Sequence, residues 1–407
     1  MNPVNTREYI DKGLFHTIHT SGRRSFRSCR RRWDLAYNKM YYPKVTPRPL
    51  EFGVAFHAAM EVFYNPNTWG KSPEAQVGLA LTTFKNVCDI QFKNYKRLNG
   101  EPDPTVVADY KDRIQLGLNM IKYYTENVSP EWDVDFVPVE VEVEFEVPIL
   151  SPQGTSIMCK CDACWKKWMN YIDPKGDPKN WEREHVAWLG LPVTYGGRLD
   201  MLARDNLGRY WIFDWKTTDR MINEGTQESF LELDDQIASY VWALRTHYNI
   251  PVAGFVYVEI KKTYPSVPEQ LSRPYKGRMY STNKQSMTTF RIFNDFVMVN
   301  DPEAYANGAY DEYLNWLKVE GPRFHQRFQI HKNDHEIEQI GRNVYLEALD
   351  MVSNPRIYPQ PGRFSCPTCL YRQPCLGMNQ GEDYPYMLET LFEKREKHYY
   401  EEASSTD

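Results

Sequence analysis

The chain has 407 residues, with 49 Lys and Arg against 54 Asp and Glu, and a formal net charge of −5. At roughly 150 residues per domain, this length allows two or three average domains or one core with large insertions. A mean hydropathy of −0.64, without an apolar run near the roughly 18 residues of a membrane span, excludes an integral membrane protein. The 28 Tyr, 19 Phe and 11 Trp exclude a disordered chain. The acidic balance argues against a protein coated with positive charge to hold nucleic acid.

Helical spacing of apolar residues dominates the first third of the chain. We expect helices over about 21–44, 51–64, 73–97 and 104–127. The first of these helices is strongly basic, with eight Lys and Arg against one acidic residue. The texture then changes, because residues 134–149 alternate apolar and acidic side chains, the period of a half-buried strand.

The middle of the chain is typical of an α/β core. Strands over 193–204 and 209–217 are joined by a short link, which predicts a hairpin. A helix over about 228–248 and a strand over 252–262 follow, and a parallel pairing of that strand requires a right-handed crossover. Residues 151–192 form an insertion between the first two core strands.

The C-terminal half begins with residues 263–286, whose prolines and glycine predict a loop. Further elements are expected as strand 287–296, helix 301–318, strand 323–330 and helix 334–353, and the acidic end as a frayed helix. The chain therefore divides into an N-terminal helical region 1–130, a core 131–262, a C-terminal region 263–381 and an acidic tail 382–407.

Two carboxylates and a lysine are predicted to meet at one end of the hairpin. Asp200 closes the first strand motif, and Asp214 and Lys216 lie near the end of the next strand. Residues two apart in a strand share a face, so Asp214 and Lys216 point the same way. Carboxylates hold a hard divalent cation, and a lysine orients the attacking water. A surface salt bridge explains the same three residues equally well.

Two helices add candidate residues. Gly53 and His57 in the second predicted helix allow a close backbone approach and a further imidazole ligand, with Glu61 one turn on. Gln236 and Tyr240, in the helix before strand 252–262, share a face at i, i+4. In isolation, a buried core histidine and an ordinary polar ridge are the plainer interpretations.

Taken in order, these motifs resemble the motif series of RecB-family nucleases, which belong to the PD-(D/E)XK superfamily. The series is G-x-x-x-H at 53–57, G-x-x-D at 197–200, D-x-K at 214–216 and Q-x-x-x-Y at 236–240. The resemblance covers about residues 21–376. It implies an α/β, PD-(D/E)XK restriction-endonuclease-like core, in which a mixed central sheet is flanked by helices.

The resemblance also implies roles for single residues. His57, Asp200, Asp214 and the backbone carbonyl of Trp215 would ligate Mg²⁺ or Mn²⁺. Lys216 would activate the attacking water, and Gln236 and Tyr240 would orient Lys216 or hold phosphate. For Glu61, a supporting or second-metal carboxylate and a surface salt-bridge partner are both open.

Eight cysteines are distributed unevenly along the chain. The start of the chain lacks the basic-then-apolar order of a secretory signal, which predicts a reducing, cytoplasmic location. The resemblance implies that the cell is bacterial or phage-infected. In such a compartment grouped cysteines indicate metal before disulfide. Two cysteines stand alone and six form two groups: Cys29 and Cys88 are single, and the groups are Cys159/Cys161/Cys164 and Cys366/Cys369/Cys375.

Cys29 together with C-x₂-C-x₅-C at 366–375 resembles the split iron–sulfur staple of CRISPR-associated RecB-like exonucleases and AddB-type nucleases. The resemblance implies a [4Fe–4S] cluster bound by Cys29, Cys366, Cys369 and Cys375, which joins the chain ends. For the C-terminal triplet alone, a zinc knuckle without its fourth ligand is the alternative.

The insertion holds the second group, Cys159, Cys161 and Cys164, followed by His185. Three thiolates and an imidazole suit a small zinc site, but C-x-C-x₂-C is not a standard knuckle spacing. Reduced cysteines in a family-specific insertion are the alternative. Cys88 is assigned to the helical core, where a free cysteine behaves as a small apolar residue.

Two basic segments interleaved with tyrosines, 21–44 and 261–284, predict a path for single-stranded DNA. The expected DNA contacts are Arg23, Arg24, Arg27, Lys261, Lys262, Arg273, Lys276 and Arg278. A solvated surface loop is the alternative for the second segment, and some arginines of the first are expected to be ordinary surface positions.

The leading functional hypothesis is a metal-dependent DNA exonuclease that acts at ends or on single strands, in recombination, repair or DNA processing. A structure-specific endonuclease and a non-catalytic iron–sulfur DNA-binding scaffold are the alternatives. The sequence lacks a Walker-type G-x-x-x-x-G-K-[S/T] loop, so a helicase would be a separate partner, as would a single-strand annealing protein. The oligomeric state is open.

Overall fold

The computed structural model describes residues 6–44, 48–176, 188–219, 222 and 230–395. Its helices are α1 Thr6–Asp11, α2 Thr20–Ser28, α3 Arg30–Trp33, α4 Arg48–Phe63, α5 Pro73–Asn99, α6 Pro104–Tyr123, α7 Ser129–Trp132, α8 Asp162–Ile172, α9 Asp235–His247, α10 Phe290–Asn300, α11 Pro302–Ala306, α12 Asp311–Val319, α13 Asp334–Val352, α14 Arg372–Gln380 and α15 Tyr384–Leu391. Its strands are β1 His16–His19, β2 Tyr41–Pro43, β3 Phe136–Pro148, β4 Met158–Cys159, β5 Leu191–Asp205, β6 Tyr210–Thr218, β7 Val252–Lys261, β8 Gln270–Tyr275, β9 Arg278–Tyr280, β10 His325–Ile330 and β11 Phe392–Lys394.

Strand β5 organises a mixed sheet. β3 runs antiparallel along one edge of β5. The other edge is shared by β1, which is parallel to the first half of β5, and β6, which is antiparallel to the second half. β7 pairs parallel with β6, and β10 pairs antiparallel with β7. The hairpin expected from the sequence is therefore β5–β6, and the helix expected to lead into the parallel strand is α9.

Two hydrophobic cores cover the two faces of this sheet. Helices α2, α9 and α13 pack in a first core with residues such as Ile212 and Phe255. Helices α4, α5 and α6 pack in a second core with Phe213 and Val256. Neighbouring residues enter opposite cores because successive side chains of a strand point to opposite faces. The expectation of a mixed sheet flanked by helices is confirmed.

The single helix expected over 21–44 is wrong. α2 ends at Ser28, and Cys29 has extended backbone angles, φ −164° and ψ 108°, before α3 begins at Arg30. The Arg31 N–H then donates to the Tyr358 carbonyl at 3.1 Å. The break therefore places Cys29 where the first part of the chain meets the C-terminal region.

The strand expected over 287–296 is also wrong, because α10 occupies this stretch. Phe293 and Val297 lie one turn apart in a small separate core, and the Thr289 hydroxyl accepts from the Ile292 N–H at 3.3 Å as a helix cap. Aromatic and β-branched residues favoured a strand, but they recur at helical spacing. The helix expected over 301–318 is divided into α11 and α12.

The loop expected over 263–286 contains a β-hairpin, β8–β9. Lys276 and Gly277 have φ of +50° and +76°, the positive pair that a type I′ turn requires. The acidic end is only partly the expected frayed helix, since β11 follows α15 and pairs with β2. Within the described ranges, no helix is long and apolar enough to cross a membrane.

Candidate active site

Three carboxylates lie in one row across three strands. The strand registers place Glu142 of β3 beside Asp200 of β5, and Asp214 of β6 on the other side of Asp200. The Trp215 N–H donates to Asp200 Oδ2 at 2.8 Å. The prediction that the G-x-x-D and D-x-K segments meet across the hairpin is therefore confirmed.

Both β3 and β5 change faces at this row. Leu199 belongs to the first core and Met201 to the second, although residues two apart in a regular strand share a face. Glu142 has a φ of +51°, which is uncommon for a residue with a side chain. Asp200, at the break, lies in neither core, and its Oδ2 is 3.2 Å from His57 Nδ1 on α4. The irregular backbone in both strands thus keeps this row of acids out of the two hydrophobic cores, where it can form a site.

His57, Glu142 and Asp200 form the first group of ligand atoms, all within 4.8 Å of one another. An imidazole and two carboxylates suit a cation such as Mg²⁺ or Mn²⁺. Glu142 was missed by the sequence reasoning, because the alternating acids of 134–149 had been assigned to a solvent face. Burial raises the pKa of Glu142 to about 7, although Arg198 Nε lies 2.6 Å from its carboxylate and opposes the shift.

Asp200 and His57 shift each other's pKa in opposite directions. Burial alone would raise the pKa of Asp200, but His57, Lys216 and the Trp215 N–H outweigh it and lower the pKa to about 2. Burial also opposes a charged imidazole, yet Asp200 raises the pKa of His57. Asp200 is therefore an ionised carboxylate, because its neighbours favour the charged form.

Asp214 is buried and faces Lys216. Lys216 Nζ lies 2.8 Å from Oδ1 and 2.7 Å from Oδ2 of Asp214, but only Oδ1 has hydrogen-bond geometry. Oδ2 is buried with no hydrogen-bond partner among the described residues. Burial raises the pKa of Asp214 to about 6, with Asp200 adding to the shift and Lys216 opposing it. Asp214 and Asp200 raise the pKa of Lys216, although burial opposes its charge.

These residues fit a divalent cation, because a buried carboxylate oxygen, which has an ion-pair contact with Lys216 but no hydrogen bond among the described residues, lies beside three clustered ligand atoms. The family model described as the PD-(D/E)XK nuclease superfamily matches residues 20–376. The chain belongs to this superfamily. Its activity is therefore that of a metal-dependent nuclease. None of the curated proteins compared matches the chain.

Of the two residues expected from α9, Gln236 contacts the PD-(D/E)XK site, since its Nε2 donates to Asp214 Oδ1 at 3.5 Å. Tyr240 is buried, with its ring edge-to-face against Phe145 at 5.1 Å. A Cβ at Gly197 would lie 2.5 Å from the Phe145 ring, so that glycine serves packing. The proposed role of Tyr240 toward Lys216 or phosphate stays a prediction.

Gly53 does not have the role expected of it within the protein. A Cβ at Gly53 would meet no described atom within 4 Å, so no close approach to neighbouring backbone requires glycine there. Glu61 lies near Arg198, which lowers its pKa, while burial raises it by more. Arg198 thus interacts with both Glu61 and Glu142 beside the carboxylate row.

The prediction that Arg23 contacts DNA is wrong. Its side chain is fully buried, with Nε 2.7 Å from Glu347 Oε2 on α13 and Nη2 3.5 Å from Asp235 on α9. No part of this side chain reaches solvent, so it cannot approach a phosphate. Arg23 instead joins α2 to the two helices that cover the first core.

Arg24 and Arg27 are half-exposed and also pair with α9. Arg24 forms ion pairs with Asp234 and Asp235, and its Nη1 donates to Gln236 Oε1 at 3.5 Å. Arg27 Nη2 lies 2.5 Å from Asp235 Oδ2. Arg24 therefore holds the side chain that contacts Asp214, and contact of either arginine with DNA stays a prediction.

The second basic segment is more open. Arg273, Tyr275 and Lys276 are exposed on the β8–β9 hairpin, and Lys276 Nζ lies 5.6 Å from the Tyr275 ring centre. The Arg278 guanidinium lies 5.9 Å from the centre of the same ring. Lys262 is 12% exposed and pairs with Asp219 at 3.1 Å. Lys261 is half-buried at the end of β7. The hairpin is thus more exposed than α2, and contact of its basic residues with DNA stays a prediction.

The cysteines expected to hold an iron–sulfur cluster lie where the chain ends meet. Burial raises the pKa of Cys369, and the nearby Cys29 and Cys375 raise it further. Arg31 Nη1 lies 3.4 Å from Cys375 Sγ, and the Gly362 N–H donates to Cys366 Sγ at 3.3 Å. Thiols are the ligand type that an iron–sulfur cluster uses. Among the described residues, these four cysteines are not one of the groups whose ligand atoms all lie within 4.8 Å of one another, and their binding of a cluster stays a prediction.

The insertion cysteines have an unexpected partner. Cys159, Cys161 and Cys164 meet His16 of β1, and the four ligand atoms lie within 4.8 Å of one another. His185, the ligand expected from the sequence, lies outside the described residues. Cys88 is fully buried in the second core, as predicted, and burial raises its pKa to about 11.

Proposed function

We propose that this chain is a RecB-like, divalent-metal-dependent DNA exonuclease that hydrolyses phosphodiester bonds at DNA ends or on single strands. The observation that carries the proposal is the carboxylate row with Lys216 beside it, whose ammonium lies 2.7 Å from the Asp214 carboxylate. DNA recombination, repair or processing is the corresponding setting, and a separate helicase or single-strand annealing protein would be a partner.

Each residue of the row has a distinct proposed task. His57, Glu142, Asp200, Asp214 and the backbone carbonyl of Trp215 would hold Mg²⁺ or Mn²⁺. The cation supplies Lewis acidity and lowers the pKa of bound water when present. Lys216, whose side chain is 41% exposed, would position the attacking water and offset phosphate charge. Gln236, held by Arg24, keeps the Asp214 carboxylate in place.

The RecB-like assignment also includes a [4Fe–4S] cluster on Cys29, Cys366, Cys369 and Cys375. The pairing of β2 with β11 supports it, because this pairing and the thiols join the same two parts of the chain. We expect an absorbance band near roughly 400 nm from thiolate-to-iron charge transfer, lost in Cys375→Ser. Anaerobically purified protein without iron or this band would contradict the cluster.

The test of exonuclease activity uses linear and covalently closed circular single-stranded DNA of equal sequence, and linear duplexes labelled at either end. With Mg²⁺ or Mn²⁺ we expect the linear strands to be degraded and the circle to survive, because an exonuclease requires an end. Asp214→Ala should abolish cleavage and retain the iron–sulfur absorbance.

The remaining outcomes separate the alternatives. Cleavage of the circle as fast as the linear strand would identify an endonuclease on the same core. DNA binding without cleavage in either metal would favour the non-catalytic scaffold. Equal cleavage by wild type and Asp214→Ala would remove the carboxylate row from the mechanism.

A further inference from the structure

We propose that His16, Cys159, Cys161 and Cys164 form a structural zinc site, separate from the catalytic cation and from the cysteines at the chain ends. The four ligands come from three places in the fold: β1, β4 and the first turn of α8 with the residue before it. The site would therefore attach the insertion to the N-terminal strand.

The spacing of the ligand atoms suits a single ion. All four lie within 4.8 Å of one another, and Cys164 Sγ is 3.4 Å from His16 Nδ1. Ligand atoms on a tetrahedron with bonds of about 2.0–2.3 Å are roughly 3.3–3.8 Å apart. Modest contraction around a bound ion would bring this group to that geometry.

The chemistry of the donors points to zinc. Three sulfurs and one imidazole are a standard structural zinc set, and four protein ligands leave no open position for substrate. The Cys164 N–H donates to Cys161 Sγ at 3.5 Å, a backbone hydrogen bond that would stabilise a thiolate. Mg²⁺ and Mn²⁺ prefer oxygen ligands, so this group would not compete for the catalytic cation.

The residues around the four ligands enclose the site closely. Cys159 and Cys164 are buried, at 1% and 3% exposure. Trp165, which follows Cys164 in the chain, packs edge-to-face against Trp188 with ring centres 5.2 Å apart. Gly190 has a φ of +101°, and a Cβ there would lie 2.7 Å from the Cys159 carbonyl oxygen. A bound cation would replace the weak hydrogen bonds among these thiols and the imidazole with four ligand bonds.

The consequence for the fold concerns β1. This strand has four residues, pairs with β5 through His16–His19, and leads directly into α2. Arg24 of α2 reaches Gln236 beside the carboxylate row. A metal link between His16 and Cys159 would close a long loop and fix the strand from which α2 starts.

The first test uses the full-length wild-type protein. Metal analysis should give about one zinc ion per chain, the content of a single tetrahedral site. Alkylation followed by mass spectrometry should leave Cys159, Cys161 and Cys164 unmodified until a strong zinc chelator is added. Cys88, which is buried in the helical core, is the control that should stay unmodified with or without chelator. Equal alkylation of the three cysteines before and after chelation would overturn the proposal without relying on any variant.

The second test assigns the ligands. His16→Ala and Cys161→Ser should lose the zinc, and His185→Ala and Cys88→Ser should retain it. Cobalt-loaded wild type should show the ligand-field bands of a tetrahedral thiolate site, lost in His16→Ala. Zinc retained by Cys161→Ser would place the ion at other cysteines, and zinc lost from His185→Ala but kept by His16→Ala would make His16 the wrong ligand. Either result would overturn the site.

Discussion

The two basic segments, α2 and the β8–β9 hairpin, look alike in sequence and differ in the structure. α2 lies within the basic segment 21–44 and the hairpin within 261–284, and both segments combine Lys and Arg with tyrosines. In α2, Arg23 is buried and Arg24 and Arg27 pair with acids of α9. In the hairpin, Arg273 and Lys276 are exposed. Charge along the chain therefore does not identify a DNA-binding surface until the partners of each charge are known.

The difference also shows why a net charge of −5 does not by itself exclude DNA binding. Part of the positive charge is used inside the protein, where α2 needs acids on α9 and α13 as partners. A net charge averages such internal pairs with open cations, although only open cations attract phosphate. The comparison predicts that α2 variants change stability or catalysis, and that hairpin variants change DNA affinity.

Arg23→Ala should have the largest effect. It would remove the buried partner of Glu347 and Asp235, which keep their ion pairs with the half-exposed Arg27. Breaking a buried ion pair costs up to about 3–5 kcal/mol. Chemical denaturation should report this loss in the free energy of unfolding. Arg273→Ala is the matched control and should change it by less than about 0.5 kcal/mol, as at other surface positions. Equal stabilities for the two variants would contradict the claim that α2 uses its charge inside the protein and the hairpin does not.

Glu142 is another charged group whose properties are set by burial inside the protein. Its pKa is raised to about 7, mainly by burial, so acidification through that pH protonates a proposed ligand. The affinity of the wild type for a divalent cation should therefore fall as pH decreases from 8 to 6. At pH 8 the affinity of Glu142→Gln should be about ten- to hundredfold lower than that of the wild type. Calorimetric titration with Mn²⁺ measures both. An unchanged affinity in Glu142→Gln would remove Glu142 from the metal site.

The raised pKa of Glu142 also predicts how the stability of the fold depends on pH. A carboxyl whose folded pKa is raised stabilises the fold below its unfolded pKa, and this contribution is lost as pH rises through about 7. In chelator, thermal stability should therefore decrease between pH 6 and pH 8. Glu142→Gln should flatten this decrease, because the variant has no carboxyl to ionise.

Arg24→Ala should reduce cleavage without changing DNA affinity. The variant releases Gln236, which donates to Asp214, and we expect about a tenfold loss of kcat from this misplacement. Arg27→Ala is the matched control, since Arg27 pairs with Asp235 and Glu347 and has no recorded contact with Gln236 within the described part of the chain. A weaker DNA affinity with unchanged kcat would instead make Arg24 a substrate contact.

The sequence predicted the part of the site that depends on local geometry. Asp200, Asp214 and Lys216 meet because a hairpin sets their register and strand periodicity sets their face. Glu142 escaped prediction because the strand breaks its period there, with a φ of +51°. An alternating pattern of acids carries no sign of such a break.

Long-range contacts escaped prediction for a different reason. His16 reaches Cys159 because β1 pairs with β5 next to β4, across most of the first half of the chain. Sequence spacing orders neighbours along the chain, and His185 was closer by that measure. Likewise, Arg23 could be recognised as buried only once α9 and α13 were in place.

The smallest effect is expected for the hairpin, where Arg273→Ala with Lys276→Ala should weaken binding to single-stranded DNA several-fold. Each lost phosphate contact should reduce the slope of log affinity against log salt by roughly 0.7. Fluorescence anisotropy across a salt series measures both quantities. Lys93→Ala with Arg97→Ala, on the exposed side of α5, removes the same charge and should leave the slope unchanged. If both double variants changed the slope equally, net charge rather than placement would govern binding, and the distinction between α2 and the hairpin would lose its functional meaning.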